Sequence, residues 1–434
     1  MRKLFYASKY VDRKLQPYMK ITRSHILSSQ SLVLLLEKYK IHDDYKDTMC
    51  ILCADITSLY PNIPIDTGLL FMRERLIFLH NDSLKLNITP IITLSDISFI
   101  CELTEFVLNN NYITFGDRTF KQICGTAMGT PLAVVFANLF LQQLEHLVKI
   151  KLNDLKHDFP LLYKRYIDDI FALFKCMYDA KQYIETFNSI VESIKVTYTL
   201  DCMKGQFLGV VMFRGPRYDT DNLLDVKLYQ KPQDKHQYLP PYSFHSPKIF
   251  PAFINSELNR LRLNCSVDSD YETNKQLYYT RLLARDYTHE YLKPSFELHR
   301  DRNSLLTRIS DRLKQKLVTA NNNSTSKPII FKTTYCQKAL QTKLKPCFKL
   351  TELAKQDPHA HKIFGNRDPI ICYQTCNMGQ MLSKTQYTHN VTCDNKKTDG
   401  SEDQSNLLYT TAQVSSEFRN QKKLQKSFQM NVNV

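Results

Sequence analysis

The sequence predicts an α+β fold on three observations. Short strand-type runs gather in the first half of the chain, two of them carry aspartates at an end, and long helix-type periodicities flank and follow them. A chain of 434 residues exceeds one compact core and implies two or three units. With 43% hydrophobic and 11% aromatic residues it can bury a large apolar surface, which excludes wholesale disorder. Only 10 glycines, no tryptophan and no fixed repeat argue against propellers and glycine-rich arrays.

Residues 1–48 read as helical and basic, with the polar stretch 24–29 parting a first segment from the apolar-periodic residues 32–36. The apolar run 49–54 ends in Asp55, the pattern of a buried strand that delivers an acid at its C-terminal end. Helices are predicted over 66–79, capped by Asp66, and over 97–109. The strongest helical pattern is 131–152, where Pro131 suits the first turn and Leu132, Val135, Leu139, Leu144 and Leu147 keep roughly helical spacing. Residues 165–173 alternate aromatic and aliphatic side chains around Asp168-Asp169, which predicts a β-hairpin with the acids at its turn. A helix over 179–194 and strands over 196–200, 207–213 and 224–229 follow, punctuated by Gly205, Gly215-Pro216 and residues 219–222. Residues 250–310 turn helical again, interrupted at Pro294. Residues 321–326 are a linker by composition, a small unit runs on to about Met381, and the polar tail beyond His389 is expected to be disordered.

A formal net charge of +15 suits a polyanionic partner, since lysines and arginines on phosphates release counterions; a membrane surface would suit it too. No secretory signal follows Met1, and the longest apolar stretch, 131–141, is too short to span a bilayer, so no membrane partner is expected. The 12 cysteines lack a framework spacing and read as reduced core thiols of an intracellular protein.

Asp55 and the Asp168-Asp169 pair carry the chemistry. Carboxylates brought together from strand ends suit a two-metal phosphoryl-transfer site, in which two ions about 3.5–4 Å apart clamp the attacking and leaving oxygens. Mg²⁺ prefers such hard oxygen ligands, and Mn²⁺ can replace it. Taken alone, an Asp-Asp pair is an ordinary acidic turn and Asp55 a helix cap. Tyr60 alone reads as a core aromatic, Gly129 as a turn glycine, and the run 227–239 as a solvated surface loop.

Three motifs in order resemble those of reverse transcriptases. The first is Cys53-Ala54-Asp55-Ile56-Thr57-Ser58-Leu59-Tyr60-Pro61-Asn62-Ile63-Pro64. The second is Gly125-Thr126-Ala127-Met128-Gly129-Thr130-Pro131-Leu132-Ala133, continuing to Asn138, and the third is Arg165-Tyr166-Ile167-Asp168-Asp169. The wording is closest to the Penelope-like retroelements, distant relatives of telomerase, whose group-specific run resembles Leu228-Tyr229-Gln230-Lys231-Pro232-Gln233-Asp234-Lys235-His236-Gln237-Tyr238-Leu239. The resemblance covers about residue 5 to about residue 380.

It implies a right-hand polymerase with an antiparallel-sheet palm, partial fingers, a helical thumb and a short C-terminal connector. The expected boundaries are 1–48 for a fingers lead-in, 49–240 for the palm with finger insertions and 241–320 for the thumb. Linker and connector would occupy 321–388, and the tail 389–434. The implied activity is RNA-directed DNA synthesis on an RNA template and DNA primer with dNTPs, in the nucleus, with no oligomeric state implied. By resemblance Asp55, Asp168 and Asp169 are the catalytic acids, with the Ile56 carbonyl beside them as a ligand to two Mg²⁺ ions. Tyr60 would exclude a ribose 2′-hydroxyl, Gly129, Thr130 and Pro131 would meet the nascent base pair, and Lys227, Lys231, Lys235, Tyr238, Arg260 and Arg262 would hold primer and template.

Four departures from the pattern stand out. The chain is expected to lack part of the fingers at its N-terminus, Gly209 replaces an aspartate, no GIY-YIG endonuclease follows Met381, and Met128 stands where other reverse transcriptases have glutamine. They motivate an alternative, a catalytically incompetent nucleic-acid-binding protein of retroelement origin. Cys372, Cys376, His389 and Cys393 have a poor spacing for zinc.

Overall fold

The computed structural model describes residues 2–22, 24–85, 92–321, 329–334 and 369–374. One compact unit comprises Met1–Ser243 and Pro247–Thr325, and a second comprises Phe244–Ser246 and Ser326–Val434. In the second unit the described strands β10 (Ile329–Thr334) and β11 (Pro369–Gln374) pair in parallel. The zinc question and the expected disordered tail fall outside the described side chains.

The first unit is built on a four-stranded antiparallel sheet in the order β4-β5-β1-β6: β1 (Cys50–Ile56), β4 (Leu162–Tyr166), β5 (Asp169–Phe174) and β6 (Val196–Asp201). Alternate residues of β1 enter two different cores. Cys50, Leu52, Ala54 and Ile56 pack with helices α1 (Arg2–Ile21), α4 (Ile65–Lys85), α5 (Leu94–Asn109), α6 (Pro131–Asp154) and α7 (Met177–Ile190). Ile51 and Cys53 pack with α2 (Ser29–Leu36) and with a second antiparallel sheet of β7 (Lys204–Phe207), β8 (Val210–Phe213) and β9 (Asp225–Leu228). A strand buried on both faces needs apolar residues at every position, which is why this run is continuous. The lead-in 1–48 is therefore part of both cores. Cys50 and Cys53 are free thiols whose burial pushes them up to about 12, so they are inert core residues.

Helix α6 is long and apolar enough by composition to cross a bilayer, yet most of it is buried inside the protein. Thr130 is its N-cap but makes no side-chain cap bond. Instead the Ser8 hydroxyl of α1 accepts the Leu132 N–H at 2.9 Å. The α5 start carries a full capping box, Thr93 with Asp96.

Helices α9 (Ile249–Asn264), α10 (Asp268–Leu283), α11 (His289–Glu297) and α12 (Arg302–Asn321) complete the unit, the first three around a core of Ile254, Leu258, Tyr278, Leu282 and Leu292. The expected break at Pro294 does not occur: Pro294 lies inside α11, and the chain turns instead after Leu283, with Asp286 at φ 70, and after Glu297. The single strand expected over 207–213 is two strands, joined at Leu208 and Gly209 with φ 49 and 75. Positive φ at both central residues is the primed hairpin turn, and Leu208 gives no turn signal of its own. Asp66 stands within the first turn of α4, facing the helix dipole, and does not cap it. A hairpin absent from the sequence reading, β2 (Tyr112–Phe115) with β3 (Arg118–Lys121), is exposed at every position and so lacks the in-out alternation that marks strands.

Candidate active site

Strands β1 and β5 bring the acids together. Asp55 and Asp169 are register partners, and they share the sheet face of Ile51, Cys53, Phe171 and Leu173. Along β1 only Asp55 is exposed. Asp168 occupies the hairpin turn between β4 and β5, where its carbonyl accepts the Ile56 N–H at 3.2 Å. Burial first, then Asp168 and Asp55, pushes the Asp169 carboxyl up to about 6, while Lys231 pulls the other way. Burial and Asp168 also raise Asp55. The three acids thus repel one another, and they gain from a cation.

The hairpin that presents them is strained and held. Ile167 has φ 55, a left-handed conformation that a β-branched residue adopts only under constraint. Its carbonyl accepts from the Arg165 guanidinium at 2.8 Å. Arg165 is fully buried, paired with Glu145 of α6 and hydrogen-bonded to Asn138 Oδ1 at 2.8 Å. Glu145 also accepts from Tyr163 at 3.0 Å and Ser24 at 2.9 Å. The arginine preceding the acids is thereby a positioning residue that fixes their turn to α6.

Beside the acids lies an open cleft of about 530 Å³ lined by Tyr60, Met128, Gly129, Thr130 and Pro131, with Asp12 and Gln16 from α1. Tyr60 is near enough to Asp168 for that carboxylate, after burial, to raise the phenol's pKa. Gly125 anchors the second motif against the first. Its φ is 71, a Cβ there would lie within 2.5 Å of the Tyr60 and Pro61 backbone, and the next amide, Thr126 N–H, donates to the Tyr60 carbonyl at 2.8 Å. Two separated motifs thus form one wall. The α1 residues Ser8, Asp12 and Gln16 were missed in the sequence; their i, i+4, i+8 spacing, a polar stripe on a basic helix, was the available signal.

The remaining predicted contacts divide. Lys231 and Lys235 are exposed, and Lys231 is near enough to Asp169 for its charge to oppose the rise of that carboxyl. Lys227 lies over the Phe213 ring at 5.0 Å. Tyr238 is half-buried: its ring lies stacked on His236 at 6.2 Å and edge-on to Tyr278 at 4.9 Å, and its carbonyl accepts from Arg285 at 2.9 Å. Arg260 is paired with Glu257 at 2.6 Å and Arg262 with Asp268 at 2.7 Å, so both guanidiniums are engaged within the helical region. Gly209, the apparent departure, occupies its turn at φ 75, and its carbonyl accepts the Tyr229 N–H at 2.9 Å, tying the turn to the 229–239 loop. Among the described residues no three Asp, Glu, His or Cys side chains, these acids included, are grouped closely enough to hold a metal ion by themselves. Mg²⁺ needs fewer protein ligands than that, since it binds through one or two carboxylates and takes its other ligands from substrate phosphates and water, so Asp55 and Asp168 are the residues that would hold it.

No family model matches the sequence, and no curated protein matches it. Among solved structures the chain is similar to telomerase from Candida albicans in complex with a TWJ fragment of telomeric RNA (14% identity, TM-score 0.43, covering 73% of this chain and 52% of that one). It is also similar to apo telomerase from Candida tropicalis (15%, TM-score 0.38, 68% and 53%). A third likeness is to the BmCPV RNA-dependent RNA polymerase at its elongation state (12%, TM-score 0.34, 54% and 20%). The chain spans about half the length of these telomerase chains. Likenesses this distant carry none of the functional reading.

Proposed function

We propose that this chain is a template-directed nucleotidyltransferase, an RNA-directed DNA polymerase of the Penelope-like kind. The observation that carries the reading is the convergence of three sequence motifs. The Asp55–Asp169 register pair, with Asp168 at the adjoining turn, neighbours a cleft whose walls are Tyr60 and residues 128–131. Asp55 and Asp168 would hold two Mg²⁺ ions, assisted by Asp169 and the Ile56 carbonyl. When bound, the ions would supply positive charge to the phosphates and to the primer 3′-hydroxyl.

The chain's own residues do the rest by positioning. The left-handed turn at Ile167, clamped by Arg165, sets the height of Asp168. Tyr60 closes the cleft on the side where a ribose 2′-hydroxyl would lie, and Gly129, without a side chain, leaves room for a base pair. Lys231, whose charge reaches Asp169, would meet a phosphate. The four-stranded sheet with its acids corresponds to a palm and α9–α12 to a thumb, in a protein acting where its template and DNA meet, in the nucleus.

The test is primer extension on a poly(rA)/oligo(dT) hybrid with Mg²⁺, comparing the wild-type chain with Asp168→Asn. Extension by the wild type alone supports the reading. Extension retained by Asp168→Asn removes the assignment of Asp168. No extension by either, with hybrid binding retained, replaces the polymerase by a binding protein.

A further inference from the structure

The β2–β3 hairpin carries a chemistry that neither core nor cleft uses. Its register, Tyr112↔Lys121, Ile113↔Phe120, Thr114↔Thr119 and Phe115↔Arg118, puts Ile113, Phe115, Phe120 and Arg118 on one face. Tyr112 and Lys121 share the other. Phe115 is 66% exposed and Phe120 50%, so at least half of each side chain is open to solvent. Asp117 adds one acid at the tip, and no ion pair engages Arg118 or Lys121 among the described residues. Exposed apolar side chains gathered into one patch, as Ile113, Phe115 and Phe120 are on this face, mark an interaction surface where single ones do not. Aromatics interleaved with unpaired cations are the composition of a single-stranded nucleic-acid platform, because every base has a stackable face and every linkage a phosphate.

Location selects the occupant further. The hairpin base is closed by the Gln122 N–H on the Asn111 carbonyl at 2.9 Å. Within three residues of Gln122 the chain reaches Gly125, wedged against the backbone of Tyr60 and Pro61, and four further on Gly129 lines the cleft. Exposed Ile123 and Met128 lie along that connection. The ribbon is thus rooted at the rim of the cleft. Its cationic strands also discourage edge pairing with a second copy.

We infer that the β2–β3 hairpin is a stacking platform for the unpaired template strand, with Phe115 and Phe120 taking bases and Arg118 and Lys121 taking phosphates. The inference deepens the polymerase reading and rests on it for the identity of the strand.

The experiment uses the full chain without nucleotide and measures fluorescence anisotropy on an RNA–DNA hybrid, either blunt or with a single-stranded RNA overhang. Phe115→Ala and Phe120→Ala are each expected to weaken overhang binding roughly tenfold and to leave blunt-hybrid binding unchanged. Both side chains are exposed, so the thermal midpoint should hold, and it is recorded as the folding control. Arg118→Ala is expected to weaken overhang binding and flatten its salt dependence. Equal losses on blunt and overhang hybrids, or no loss on either, overturn the platform. So does a dimer in sedimentation velocity that these substitutions dissociate, which would make the ribbon a contact between copies. Primer extension by the same preparations separates the two claims. A hairpin that binds overhang in a chain that never extends keeps the platform and loses the polymerase. Extension indifferent to the hairpin does the reverse.

Discussion

Replacing Asp169 by asparagine should make the protein more stable while disabling its site. The Asp169 carboxyl moves from 3.8 to about 6, with burial, Asp168 and Asp55 as the causes in that order. At about 1.4 kcal/mol per pKa unit, roughly two units set a ceiling of about 3 kcal/mol. The group is only partly buried, and solvent screening brings the expected gain to about 1 kcal/mol. The sign follows from proton uptake. The folded protein takes a proton at about 6, before the unfolded chain does at about 3.9, so the charged form costs stability above about pH 6. That cost is relieved as pH falls from about 7 toward 4. The assay is urea unfolding in EDTA at about pH 7.5 and about pH 5, wild type against Asp169→Asn, read at constant m-value. The variant should exceed the wild type by about 1 kcal/mol at the higher pH, and the gap should narrow at the lower. Added Mg²⁺ should stabilise the wild type more than the variant, because only a native-state ligand site gains. A variant no more stable than wild type at about pH 7.5 would refute the mutual repulsion of the acids.

Two further outcomes follow from the packing. Glu37, the C-cap of α2, binds Arg217 at 2.8 Å and Arg302 at 2.6 Å, and Arg302 is 8% exposed. Burial alone would raise the Glu37 carboxyl, but hydrogen bonds from Arg302 and Arg217 outweigh it and hold it low. Glu37→Gln should therefore cost about 3–5 kcal/mol in urea unfolding at neutral pH, a difference that fades as acid protonates the wild-type carboxylate. Tyr60→Ala should lower the preference for dNTP over rNTP in primer extension by roughly 10–200-fold; unchanged discrimination would remove Tyr60 from that role.

Asp55 was legible because it ends an apolar run buried on both faces, and Asp168-Asp169 because the alternation on either side of them marked a hairpin turn. Their pairing across β1 and β5 was legible only as chemistry, since register is set by packing far away in sequence. The surroundings of Arg260, Arg262 and Tyr238 were not legible. Counting cations along a helix does not reveal that Glu257 and Asp268 already engage two of them. Nor does an aromatic in a basic loop reveal the Tyr278 ring beneath it. The β2–β3 hairpin was missed for the opposite reason: a strand with no inside has no period to read.

The bond from the Leu132 amide to Ser8 has a practical consequence for anyone seeking a minimal fragment that keeps the three motifs. A cut at the first strand, where motif-based boundaries invite it, would remove more than a loose leader. It would strip a helix start of its borrowed hydroxyl and take Asp12 and Gln16 from the wall opposite Tyr60. The fragment would keep Asp55, Asp168 and Asp169 and lose part of the lining of the cleft that Tyr60 shares.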